Sequence, residues 1–142
     1  MPVPSSHAAT PFRRAARFVA VLAWCALIYA ASDRPDLRVS DDDALDFVLR
    51  KTAHVFVFGV LVVLIERALH GEGWSWRRSV PAAWLATFAY AISDEWHQTF
   101  VAGRSGQASD VAFDMLGATL AAAVLVLFVR RPAPIPAPEH TP

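Results

Sequence analysis

The chain has 142 residues, 55% of them hydrophobic, and 13 basic side chains balance 13 acidic ones. That length suits one domain, the apolar excess points to lipid rather than a water-facing surface, and zero net charge gives no electrostatic basis for a nucleic-acid partner. The single cysteine, Cys25, lies inside an apolar run, which excludes intrachain disulfides and cysteine-type zinc sites.

Residues 1–14 form a short polar lead carrying Arg13 and Arg14, with Arg17 just beyond. The first apolar run, 15–31, is borderline for a membrane span, which needs about 20 residues. Its basic flank, short apolar core and closing "YAAS" also fit a cleaved signal peptide. Next, "SDDDALDFVLRK" opens with a capping-box pattern from Ser40 to Asp43. Leu45, Val48 and Leu49 then share one helical face, so a short interfacial helix is expected ahead of the second span. That span, 52–69, places His54 and Glu66 near its two ends, with Glu66 and Arg67 read as boundary residues.

The third run, 80–100, opens with Pro81, which a first helical turn tolerates. It reaches spanning length only if the helix continues through Asp94, Glu95, His97 and Gln98. The fourth, 111–129, is long enough with one acid, Asp114, inside it. Residues 131–142 are proline-rich and expected to be extended and disordered. The reading is therefore all-α: a bundle of four transmembrane helices, residues 15–130, plus the interfacial helix.

Orientation follows from basic residues. With the N-terminus inside, inner segments hold eight of them and outer segments five, a modest positive-inside bias. Ten of the 13 acids then lie on the outer side.

Helical geometry sorts the third run's polar end. With Asp94 as the origin, Gln98 falls at about 40°, Glu95 at about 100°, His97 at about −60° and Trp96 at about 200°. The polar half can face protein while Trp96 and Phe100 face lipid. In the fourth run Asp110, Asp114, Gly117 and Ala121 form one stripe, acids above and small residues below. In the second, Lys51, His54 and Phe58 share a stripe. Lys51, His54, Asp94, Glu95, Gln98, Asp110 and Asp114 thus converge at one membrane face, with Arg104 supplied by a loop. Individually each has a plainer role: Asp110 as a helix cap, Lys51 and Arg104 as neutralisers of acids, His97 as an interfacial hydrogen-bonder. Asp114 is different, because it sits about 5 Å deeper than Asp110 and an intramembrane acid needs a partner or a wet cavity.

"KTAHVFVFGVLVVL" followed by "SDEWHQTFVAGRSGQASDVAFDMLGATL" resembles the VanZ-like membrane proteins. The matching positions are Lys51 and His54; Asp94, Glu95 and Gln98; Gly103 and Arg104; Asp110, Asp114 and Gly117. The chain departs from that pattern at Ala102, where proline is frequent, and at Phe58, where tyrosine is frequent. The resemblance implies a small multi-pass membrane protein, in a family named after a member linked to teicoplanin resistance; the expected location is the bacterial cytoplasmic membrane, with both termini cytoplasmic as the basic residues suggest. It does not transfer that resistance, nor the phosphotransbutyrylase label some members carry.

Three functions compete. One is binding of lipid-linked cell-envelope groups, with Lys51 and Arg104 on phosphate and Gln98, Asp110 and Asp114 on hydroxyls or amides. A second is an interfacial hydrolase or transferase, with His54 or Glu95 as general base, Asp94 assisting and Arg104 as phosphate clamp. A third is a proton-coupled carrier relaying through Asp114 and His54. No cofactor is expected, although the histidine and carboxylates could hold a divalent metal. Membrane lipids are the expected partners, nucleic acid is not, and homo-oligomerisation stays open.

Overall fold

The computed structural model describes residues 10–35, 38–104 and 106–129. Four helices carry the fold: α1 (Pro11–Ser32), α2 (Asp43–Gly71), α3 (Trp76–Gln98) and α4 (Ala108–Val124), the last continued by a π-helical turn over Leu125–Val129. Among the described residues there is no strand. Three helical segments, Pro11–Ser32, Asp43–Gly71 and Ala108–Phe128, are long and apolar enough to cross a membrane. The protein is an all-α, polytopic membrane protein.

α2 is the organising element and packs against each of the other three. Its widest interface is with α4, because small residues let the two backbones touch. A Cβ built on Gly117 would stand 1.9 Å from the Val55 carbonyl oxygen, and one on Gly59 would stand 3.2 Å from the Gly117 oxygen. Around this seam lie two apolar clusters, one of Ile28, Phe58, Leu61 and Ala91, the other of Val62, Ala83 and Ala118. α1 is fastened to the bundle by polar groups along its length. Trp24 Nε1–H donates to the Val57 carbonyl at 2.9 Å. The Tyr90 hydroxyl donates to the Cys25 carbonyl at 2.6 Å. Arg14 pairs with Glu72 at 2.7 Å, joining the start of α1 to the end of α2. The first apolar run therefore sits in the bundle as a packed helix.

Several expectations are corrected. No separate interfacial helix precedes the second span among the described residues. "DALDFVLRKTAHVFVF" contains no glycine or proline to interrupt it, and α2 runs unbroken from Asp43. Its N-cap is Asp42, whose Oδ1 accepts from the Ala44 and Leu45 amides at 2.9 Å each, a cap that contributes about 1 kcal/mol. Ser40 instead accepts from the Asp42 amide at 3.2 Å. α3 starts at Trp76, so Pro81 lies inside the helix rather than in its first turn. Glu66 is no boundary residue either. It is fully buried and accepts from the Ser79 hydroxyl at 3.0 Å, because α3 begins early enough to bring Ser79 against it. The tail 131–142 and most of the N-terminal lead lie outside the described residues.

Candidate functional site

The expected continuation of α3 through Gln98 is present. Its faces separate as the helical angles require: Asp94, Glu95 and Gln98 are buried, whereas Trp96 and Phe100 are exposed. His97 departs from this group. It lies at the edge of the polar half, stacks on Tyr29 of α1 with ring centroids 4.4 Å apart, and approaches Asp33 at 3.4 Å.

The buried side of α3 meets α2 two to three turns into that helix and α4 in its first two turns. His54 Nδ1 lies 2.8 Å from Asp114 Oδ1, and Asp114 has no exposed surface. One turn outward on both helices Lys51 is paired with Asp110. Asp110 sits in the first turn of α4 rather than at its N-cap, which is Gln107. Lys51 is further held between the rings of Phe47 and Phe113, 5.3 and 5.4 Å from their centroids, where the ring faces attract a cation. Phe58, in the position where a tyrosine hydroxyl would sit, is wholly buried beside His54, ring centroids 6.3 Å apart.

A second strand of contacts runs from α1 through α3 into the α3–α4 loop. The Ser32 hydroxyl donates to Asp94 Oδ2 at 2.9 Å, and Gln98 Nε2 donates to the same oxygen at 3.1 Å. The Gln98 side-chain oxygen, Oε1, accepts from Arg104 at 3.0 Å. Arg104 also donates from Nε to the Arg34 carbonyl at 3.2 Å and from its other terminal nitrogen to Ala31 at 3.5 Å. Among the described residues no carboxylate pairs with Arg104, and its partners there are neutral oxygens. Gly103 has φ +78°, a left-handed conformation open to glycine that turns the chain and delivers Arg104 inward. Glu95 Oε2 accepts from the Gln107 amide at 2.8 Å. Gly106 permits that, because a Cβ there would stand 2.3 Å from the Glu95 carbonyl.

A cavity of about 740 Å³ opens beside these groups, between α1, α2 and the two loops. His54, Lys51, Asp94, Gln98, Arg104 and Asp110 line its polar part, and Leu27, Ile28, Val57 and Phe58 its apolar part. Arg38 and Arg50 also line it, but Asp43 and Asp46 respectively are their partners. All eight residues expected at the site are thus brought together, although Glu95 and Asp114 stand behind the cavity wall rather than on it. Unforeseen were Ser32, Asp46, Gly106 and Gln107. "YAAS" read as a processing signal, and "GRSGQAS" offered only loop composition. Asp46 seemed one of several surface acids, yet it anchors the preceding loop by accepting from the Val39 amide at 2.7 Å.

A family model described as VanZ/LLP1 matches residues 3–129. The chain belongs to the VanZ/LLP1 family. The match takes in all four helices and every residue of the site. No curated protein and no solved structure matches the chain. Within this VanZ-like fold, the family-pattern residues His54, Asp114, Lys51 and Asp110 form the α2–α4 pairs, while Asp94, Gln98 and Arg104 form the chain that reaches α1.

Proposed function

We propose that this VanZ-like protein binds the anionic headgroup of an amphiphile, of the lipid-linked cell-envelope kind, in the cavity between α1 and α2. The observation that carries this reading is the cavity's composition: an apolar half formed by Leu27, Ile28, Val57 and Phe58 adjoins a polar half containing Arg104. Leu27 and Leu49 are substantially exposed on the lipid-facing surface as well as lining the cavity. An acyl or prenyl chain can therefore lie along the helices while its phosphate reaches Arg104. Arg104 suits that task better than Lys51. Its partners among the described residues are neutral oxygens, whereas Lys51 is committed to Asp110. An anion displaces neutral oxygens without leaving a buried carboxylate unpaired. A guanidinium also matches phosphate with two parallel hydrogen bonds.

In this reading the site faces outward and both termini inward, as the distribution of basic residues suggests. In a Cys25→Ala background, an impermeant thiol reagent should label Ala102→Cys and spare Ser75→Cys in intact cells. The reverse pattern would invert the orientation. The binding test uses the purified full-length protein and mass spectrometry of co-purifying amphiphilic phosphates. Arg104→Ala should lower their occupancy roughly 10- to 100-fold, the equivalent of a charge-assisted hydrogen bond worth about 1.5–3 kcal/mol. Equal occupancy in wild type and Arg104→Ala would refute the assignment.

One observation favours catalysis as a second reading. Asp114 fixes the His54 ring through Nδ1, and His54 lines the cavity, the arrangement of a carboxylate–histidine dyad. His54 would then be the general base of a hydrolase or transferase. Glu95 is less suited, since the Gln107 amide already occupies one of its carboxylate oxygens and it stands behind the cavity wall.

A further inference from the structure

Formal charge does not balance at the buried end of the bundle. Asp94, Glu95, Asp110 and Asp114 bring four negative charges, and Lys51 and Arg104 two positive ones, leaving −2 with His54 neutral. Arg38 and Arg50 cannot supply the difference, because Asp43 and Asp46 already offset them. Excess negative charge in a low-dielectric region is strongly unfavourable unless protons or cations neutralise it.

The excess is focused at one point. One ligand atom from each of His54, Glu95 and Asp114, on three different helices, lies within 4.8 Å of the other two. Asp114, fully buried, spends Oδ1 on His54 and has no hydrogen-bond partner for Oδ2 among the described residues. Asp94, 4% exposed and on the same helix as Glu95, likewise has an Oδ1 without a partner among the described residues. An orphaned carboxylate oxygen inside a protein calls for an explanation, and a bound ion is one that also meets the charge. Glu95 is oriented through the Gln107 amide, the kind of outer hydrogen bond that holds metal ligands in place.

We propose that His54, Glu95 and Asp114 bind one divalent first-row transition cation, of the zinc or manganese type. One imidazole and two carboxylates are the donor set such ions take, and the imidazole argues against calcium or magnesium. A 2+ ion also cancels the formal −2. Zinc bonds of about 2.0–2.1 Å set neighbouring donors roughly 3.3 Å apart in a tetrahedron. The three donor atoms lie within 4.8 Å of one another, so small side-chain shifts bring them to that separation. Asp94, Gln98 and Arg104 are not ligands in this assignment, and it does not depend on which anion the cavity takes.

The test uses the full-length protein, purified without a histidine tag into lipid nanodiscs and stripped with a chelator. Zinc or manganese is then titrated by calorimetry, and bound metal counted by elemental analysis. One equivalent per chain is expected for wild type and for His97→Gln, with at least a 10-fold weaker affinity for His54→Gln and Asp114→Asn. No saturable binding by wild type, or binding unchanged in both site variants, would overturn the proposal. Should the site variants not fold, X-ray absorption of zinc-loaded wild type decides. One imidazole with oxygen neighbours supports the site, and an all-oxygen or multi-histidine shell overturns it. Amphiphilic phosphate bound by the stripped protein and lost in Arg104→Ala would leave the anion reading intact even if the cation is absent.

Discussion

Replacing Gly117 by alanine adds one methyl group where the structure has no room. The new Cβ would stand 1.9 Å from the Val55 carbonyl oxygen, 2.7 Å from its carbon and 2.8 Å from the Val55 Cα. All three atoms are backbone, so no rotamer change relieves the clash. Restoring a normal contact of roughly 3.5 Å requires α2 and α4 to part by about 1.5 Å. Over-packing of this kind costs about 1–3 kcal/mol. The same displacement stretches the 2.8 Å bond between His54 and Asp114, one turn outward, beyond hydrogen-bonding range. Leaving a buried polar group unpaired adds about 1–3 kcal/mol, so a combined loss of roughly 2–6 kcal/mol is expected. Gly59→Ala is the internal control: it lies on the same seam, but its nearest atom is 3.2 Å away, and it should cost under about 1 kcal/mol. Denaturation in mixed detergent micelles, followed by tryptophan fluorescence, measures both. Losses that agree to within about 0.5 kcal/mol, a difference no larger than ordinary surface substitutions give, would refute the packing argument.

Three further outcomes follow from the ion pair, the buried acid and the exposed face of α3. Lys51→Met should destabilise by roughly 3 kcal/mol in the same assay, and the double variant Lys51→Met with Asp110→Leu should recover most of that, since removing one partner of the pair strands the other. Strict additivity would show the pair to be uncoupled. Ser79→Ala should cost about 1–3 kcal/mol by removing the hydroxyl that bonds Glu66. Trp96→Phe, on the exposed face, should stay within about 0.5 kcal/mol of wild type.

Periodicity within single helices made much of this arrangement readable. The angles along α3 separate Asp94, Glu95 and Gln98 from Trp96 and Phe100 without reference to any other part of the chain. The stripe Asp110, Asp114 and Gly117 likewise places acids above a close backbone contact. Periodicity says which face a residue occupies, not what stands opposite. Ser32 joins Asp94 only because α1 and α3 converge at that end. Glu66 and Ser79 meet through the early start of α3. Gly106 and Gln107 act by backbone approach and a main-chain amide, which no side-chain pattern announces. His97 shares the polar half of α3, yet a neighbouring aromatic ring on α1 takes it out of the site.

Arg104 has two employments that cannot be held at full strength together. Its hydrogen bonds to Ala31 and Arg34 satisfy carbonyls at the end of α1, where a helix leaves its last oxygens without internal partners and a cation is favoured. An anion that recruits the guanidinium weakens that clasp, and the last turn of α1 becomes freer to fray. Linkage makes the relation reciprocal: whatever steadies or loosens the end of α1, a thicker bilayer or a protein lodged beside it, changes anion affinity by the same factor. Amide exchange over residues 31–34, faster with anion bound than without, is the signature of that coupling, and equal exchange rates would show the two ends to be independent.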